Sequence, residues 1–86
     1  PVTYRDRAYV ASIVPGVPGV TLTRAGAVPV PGATVRVSAP GLRMDEGVAA
    51  KAAAQLACEE QGRRFQPEAL GRFAGPDDWV FAGACA

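Results

Sequence analysis

Met44 to Gln61 is the one stretch of this chain with a sustained helical pattern, and the surface it offers for packing is almost entirely alanine. At about 100° per residue, Lys51, Gln55 and Glu59 stack along one side, while Ala49, Ala50, Ala53, Ala54, Leu56, Ala57 and Cys58 cover much of the other. The polar stripe is expected to face water. The opposite face predicts a helix lying close to whatever it covers, touching it through methyl groups rather than long side chains. Asp45 is the expected N-cap, with Glu46 adding favourable charge at the positive end of the helix. Gly62 is the expected C′ residue, able to take the left-handed conformation that ends a helix.

The remainder reads as short strands punctuated by proline and glycine. Residues 2–14 are rich in β-branched and aromatic types and are read as a first strand, with Tyr4, Ala8, Val10 and Ser12 on one face and Arg5, Arg7 and Tyr9 on the other. Pro15, Gly16, Pro18 and Gly19 stop it, and VPGVPGV reads as a loop with two turns. A second strand fits Val20 to Arg24, with Val20 and Leu22 on one face and a turn around Gly26. Pro29 and Pro31 confine their stretch to a loop or a sheet edge. A third strand, residues 33–39, turns Val35 and Val37 inward and Arg36 outward.

After the helix, Arg63 to Gln66 suggests a strand around Phe65. Gly75, Pro76, Asp77 and Asp78 suggest a type I turn leading into a last strand, Trp79 to Cys85. Simple alternation places Trp79, Phe81, Gly83 and Cys85 on one face of that strand, and Val80, Ala82 and Ala84 on the other.

The expected fold class is therefore α+β, in the order β-β-β-α-β-β, with the helix packed on a mainly antiparallel sheet. At 86 residues the chain is expected to form a single domain, 1–86. Residues 1–43 supply the strands and the Pro/Gly loops, 44–62 the helix and 63–86 a C-terminal hairpin. The apolar fraction is 49%, but seventeen of those residues are alanine, so the core must be small and closely packed. Residues 1–43 carry five arginines against Asp6, whereas residues 44–86 carry four cations against seven carboxylates. The two halves are expected to attract each other. A net charge of +1 with singly scattered arginines gives no phosphate-tracking stripe, so nucleic acid is not an expected partner.

Cys58 and Cys85 admit three readings: a disulfide, two buried thiols, or a redox or metal pair. Zinc generally needs four ligands, and the chain has no histidine and no CxxC spacing. Cys58 falls in the last helical turn, where the helix dipole raises a thiol pKa rather than lowering it as redox work requires. A helix-to-C-terminal-strand disulfide is expected, with reduced core cysteines as the alternative. The bond implies an oxidising compartment, hence a periplasmic or secreted protein whose signal or anchor segment, if any, precedes Pro1. No apolar run approaches the roughly 20 residues of a membrane helix.

Catalytic patterns are sparse. Without histidine, Ser12 and Ser38 lack the usual base of a hydrolase triad, and neither lies in a GxSxG setting. The pairs Asp45–Glu46, Glu59–Glu60 and Asp77–Asp78 read as helix start, helix end and turn. No cofactor is expected and no enzyme is expected. The expected role is a non-enzymatic accessory or structural module of an exported assembly, docking on a larger protein through the proline-rich segment 15–32 or the N-terminal strand. The alternative is a small-molecule or peptide binding domain using Trp79, with Arg72 as its polar partner.

Overall fold

A computed structural model describes residues 2–15, 19–30 and 32–86. The elements run β1 (Val2–Tyr4), β2 (Arg7–Val14), β3 (Gly19–Thr23), β4 (Gly26–Val30), β5 (Ala33–Ser38), a 3-10 turn (Met44–Glu46), α1 (Gly47–Glu60), β6 (Gly71–Phe73) and β7 (Asp78–Cys85). Five strands form one antiparallel sheet in the order β1-β2-β5-β7-β6, and β3 and β4 pair separately as a hairpin arm. The α+β class, the helix on an antiparallel sheet and the Cys58–Cys85 disulfide are as expected. The strand order is fuller, β-β-β-β-β-α-β-β. The turn read at 15–19 falls partly on residues 16–18, and Pro31 too lies outside the described residues.

The first expected strand is in fact a hairpin. Arg5 and Asp6 hold φ values of 50° and 64°, folding β1 back on β2 in the register Val2↔Tyr9 and Tyr4↔Arg7. That geometry is the one two-residue hairpins favour, but it normally recruits Asn or Gly, so the sequence carried no turn signal there. Tyr4 moves with it to the face of Arg7 and Tyr9, whereas Ala8, Val10 and Ser12 share the opposite face as expected. Val2 and Tyr9 are buried under the helix, Ala11 and Ile13 pack against the core, and Val10 is exposed on the far side.

On β5 the expected alternation holds, with Val35 and Val37 fully buried and Arg36 exposed. The helix contributes Ala50, Ala53, Ala54, Ala57 and Cys58 to the same core, beside Leu42, Phe65 and Phe81. Leu56 falls on the outer side of the helix instead. Lys51, expected in a water-facing stripe, is half-buried and donates from Nζ to the Ala69 carbonyl at 3.0 Å, tying the helix to the loop before β6.

The helix start also differs from expectation. Asp45 caps nothing: it sits inside the 3-10 turn and pairs with the Arg43 guanidinium at 3.0 Å. Glu46 does the capping work, accepting the Arg43 backbone N–H at 3.0 Å with one oxygen and the Arg7 guanidinium at 2.8 Å with the other. At the far end Gly62 is the C′ residue as expected, with φ +70°. Its N–H reaches the Glu59 carbonyl, and the N–H of Arg63 returns to that of Cys58. Arg7–Glu46 and Arg36–Asp78 both join the cationic first half to the acidic second half, as the charge distribution implied.

Simple alternation fails in β7. Ala33 pairs with Cys85 and Val35 with Phe81, so two steps along β5 match four along β7, and the excess forms a bulge. Gly83, inside it, has φ +72°. A side chain there would not face the helix; it would overlap the Val30 carbonyl at the base of the arm. The Gln66 side-chain amide donates to the Gly83 carbonyl at 2.9 Å. The Gln66 N–H meets the Ala84 carbonyl at 2.7 Å. Phe65 bridges Cys85, which is what remains of the expected strand at 63–66. The loop before β7 contains a cis Gly75–Pro76 bond and is closed by the Ala74 N–H on the Asp78 carbonyl, rather than forming the expected type I turn.

Candidate functional site

Trp79 lies at the start of β7 on the helix side of the sheet. Its ring is tilted against Phe73 and stacked near Phe81, with centroids 5.9 and 6.0 Å away. The ring edge presses on the first residue of α1, where a Cβ at Gly47 would stand 2.8 Å from it. The indole N–H donates to the Arg43 carbonyl at 3.0 Å, so its single donor is engaged within the chain. Beside it lies an open depression of about 340 Å³ bordered by Met44, Asp45, Val48 and Lys51.

Arg72 is elsewhere. It pairs with Val80, whereas Phe73 pairs with Trp79, so Arg72 and Trp79 project from opposite faces of the sheet. Arg72 borders a different depression, of about 300 Å³, between β6 and the foot of the arm, with Val20, Leu70 and Val80. A third, of about 450 Å³, lies at the other end of the molecule beside Cys85, Gln61 and Arg63. The two residues singled out for ligand binding are thus not brought together.

Cys58 and Cys85 are brought together. Their Cα atoms are 5.6 Å apart, within the range of an ordinary disulfide, and both residues are buried. The bond clamps the last turn of α1 onto the end of β7, and no cysteine is free. Among the described residues, no three carboxylate or thiol side chains gather in a metal-binding arrangement.

Asp78 is the one described carboxylate held clearly below its ordinary pKa of 3.8. The Ser38 hydroxyl donates to it at 2.6 Å, and the Arg36 guanidinium donates to its other oxygen and adds its charge. The folded chain therefore binds this proton less readily than the unfolded chain. The cluster's contribution is complete above the unfolded pKa and is lost as pH falls through the folded one. Asp78→Asn is expected to flatten this acid-side loss of stability, read as melting temperature from neutral pH down to about pH 2. A variant whose acid profile parallels that of the parent would contradict the assignment.

Within the segment 15–32 the structure forms the β3–β4 arm. Pairing of Val20 with Pro29 and of Leu22 with Ala27 gives it one face made wholly of apolar residues. Leu22 is 73% exposed and Val20 45%, and Leu70, 48% exposed, borders the depression at the foot of the arm together with Val20. Val20 and Leu22 were placed on one face from sequence. Their continuation across Ala27 and Pro29 was not, because proline left that stretch open as a loop or a sheet edge; it is an edge strand. Pro29 is tolerated because a two-stranded arm is all edge. Compared with protein-family models, with curated proteins and with solved structures, the chain matches none.

Proposed function

We propose that this chain is a non-enzymatic accessory module of an exported assembly, and that the β3–β4 arm is the element that docks on a larger protein. The observation that carries this reading is the apolar face Val20–Leu22–Ala27–Pro29, exposed on an arm with a fixed base. The base is fixed because the foot of the arm crosses β7 at glycines. A Cβ at Gly19 would overlap the Ala82 carbonyl, and one at Gly83 the Val30 carbonyl, so backbone lies on backbone. A rigid arm with an apolar face loses little entropy on docking, and contiguous exposed apolar surface is typical of protein interaction sites. The disulfide supports export, because reducing compartments do not maintain such bonds. No helix is long and apolar enough to cross a membrane among the described residues. The ligand-binding alternative draws less support, since the Trp79 donor is engaged and Arg72 lies on the other face.

Leu22→Asp tests the proposal without touching the core. Cross-linking in the native host's exported fraction is expected to join the parent chain to one partner protein in defined stoichiometry. The variant, with unchanged circular dichroism and melting temperature, is expected to lose that product at least tenfold, as for an apolar anchor worth more than about 1.4 kcal/mol. Equal cross-linking by both chains would remove the arm from the interface, and none by either would remove the docking role.

A further inference from the structure

We propose that Arg72, at the foot of the arm, receives a carboxylate of the protein on which the arm docks; the assignment rests on that docking role and names the chemistry of the segment received. The apolar face of the arm does not end at β3. Val20 continues it into the depression of about 300 Å³ where Leu70 and Val80 stand beside Arg72. Arg72 and Arg36 both lie opposite Val80, one on each side, so the three form a single row on the sheet face turned away from the helix.

The two arginines of that row are in different states. Arg36 is bound to Asp78, whose other oxygen is taken by the Ser38 hydroxyl. Arg72 is exposed and forms no hydrogen bond or ion pair among the described residues. No carboxylate occurs between Asp6 and Asp45, so β2, the arm and β5 supply none, and Asp78 is the sole carboxylate in the described strands. Glu68, in the loop before β6, makes no ion pair with Arg72. The single charge on the arm is Arg24, exposed at its tip and likewise unpaired. Val20, Leu22, Ala27 and Pro29 therefore lie between two unpaired guanidinium groups, one at each end of the arm. A guanidinium matches a carboxylate with two parallel hydrogen bonds. Charge complementarity selects a partner segment that seats an apolar side chain among Val20, Leu70 and Val80 and carries Asp or Glu beside it. Nucleic acids and anionic lipid surfaces are held by clusters of cations, which two arginines at opposite ends of the arm do not form.

Arg72→Lys makes the contact chemically readable. A carbodiimide joins an amine to a carboxylate only where the two touch, and Lys51 is the chain's one natural lysine. In the native host's exported fraction, Arg72→Lys is expected to form an amide between residue 72 and an Asp or Glu of the same protein that cross-links to the arm, located by peptide mass spectrometry. Arg72→Glu, at an exposed position, is expected to keep the parent's melting temperature and to lose arm cross-linking at least tenfold. Replacing the partner's identified carboxylate by lysine is expected to restore it. Undiminished capture by Arg72→Glu, or no amide at residue 72 while the arm still captures its partner, would overturn the carboxylate assignment and leave the docking role standing. Absence of any partner from the parent chain would overturn both. Binding of the parent chain to vesicles of anionic phospholipid or to single-stranded DNA, lost in Arg72→Glu, would assign Arg72 to a phosphate and overturn the proposal as well.

Discussion

Replacing both cysteines by alanine lowers the melting temperature by about 12–30 °C. The bond joins residues 27 positions apart, and closing a loop of that length restricts the unfolded chain by about 3–4 kcal/mol. In a protein of this size each kcal/mol corresponds to about 4–8 °C. The native state loses packing as well, because Cys58 and Cys85 are buried in a core whose helical side is otherwise alanine. No long neighbour on the helix is available to fill the space the sulfurs leave. Alanine is the informative replacement, since serine would add buried hydroxyls without partners. Thermal melts of parent and double variant, each with and without reductant, measure the effect. Reductant should lower the parent melt toward that of the variant and leave the variant unchanged. Coincident melts for the two chains would mean that the bond contributes nothing to the fold.

Gly83→Ala is expected to destabilise the chain by at least about 3 kcal/mol, the range of substitutions that combine backbone strain with a steric clash. Left-handed backbone alone costs an L-residue about 1–2 kcal/mol. Gly62 provides the control, because its φ is +70° against +72° at Gly83, and nothing lies within 4 Å of the side chain it lacks. Gly62→Ala should therefore show the conformational cost alone, about 1 kcal/mol. The excess at Gly83 comes from the Val30 carbonyl and the Gly19 amide, which a methyl group would displace. That displacement moves the foot of the arm off β7, so Gly83→Ala should also raise amide exchange in β3 and β4 above that in β5. Denaturant melts of the two variants measure the difference. Equal losses would show that the arm does not rest on the bulge.

Those parts of the fold governed by local chemistry were legible before any coordinates. Gly62 ends the helix because a left-handed residue is needed there, and Val35 and Val37 turn inward because a strand of regular pleat alternates. Cys58 and Cys85 meet because a small core favours a staple and the helix must cover the last strand. Features that depend on register were not legible. Arg5–Asp6 takes a turn conformation without the usual turn residues, and one missed hairpin moved Tyr4 to the face of Arg7 and Tyr9. Simple alternation put Gly83 on the face of Trp79, Phe81 and Cys85. Gly83 is a gap for the arm, because the bulge turns it to the other side of the sheet. Trp79 and Arg72 were joined as candidate binding residues, an aromatic ring with a polar partner. Their separation is decided by a single pairing, Arg72 with Val80, which exists only once β6 has found β7. Asp45 was passed over as a cap because Glu46 is held from two directions, by Arg43 and by Arg7.

The account rests on the helix being covalently fastened to the final strand in the protein as its host makes it. Chain isolated from that host without reductant, denatured in an alkylating agent and measured by intact mass is predicted to take up no alkyl group. Proteolysis is predicted to yield one linked peptide pair containing Cys58 and Cys85. Two alkyl groups per chain would contradict both the staple and the export proposal that leans on it.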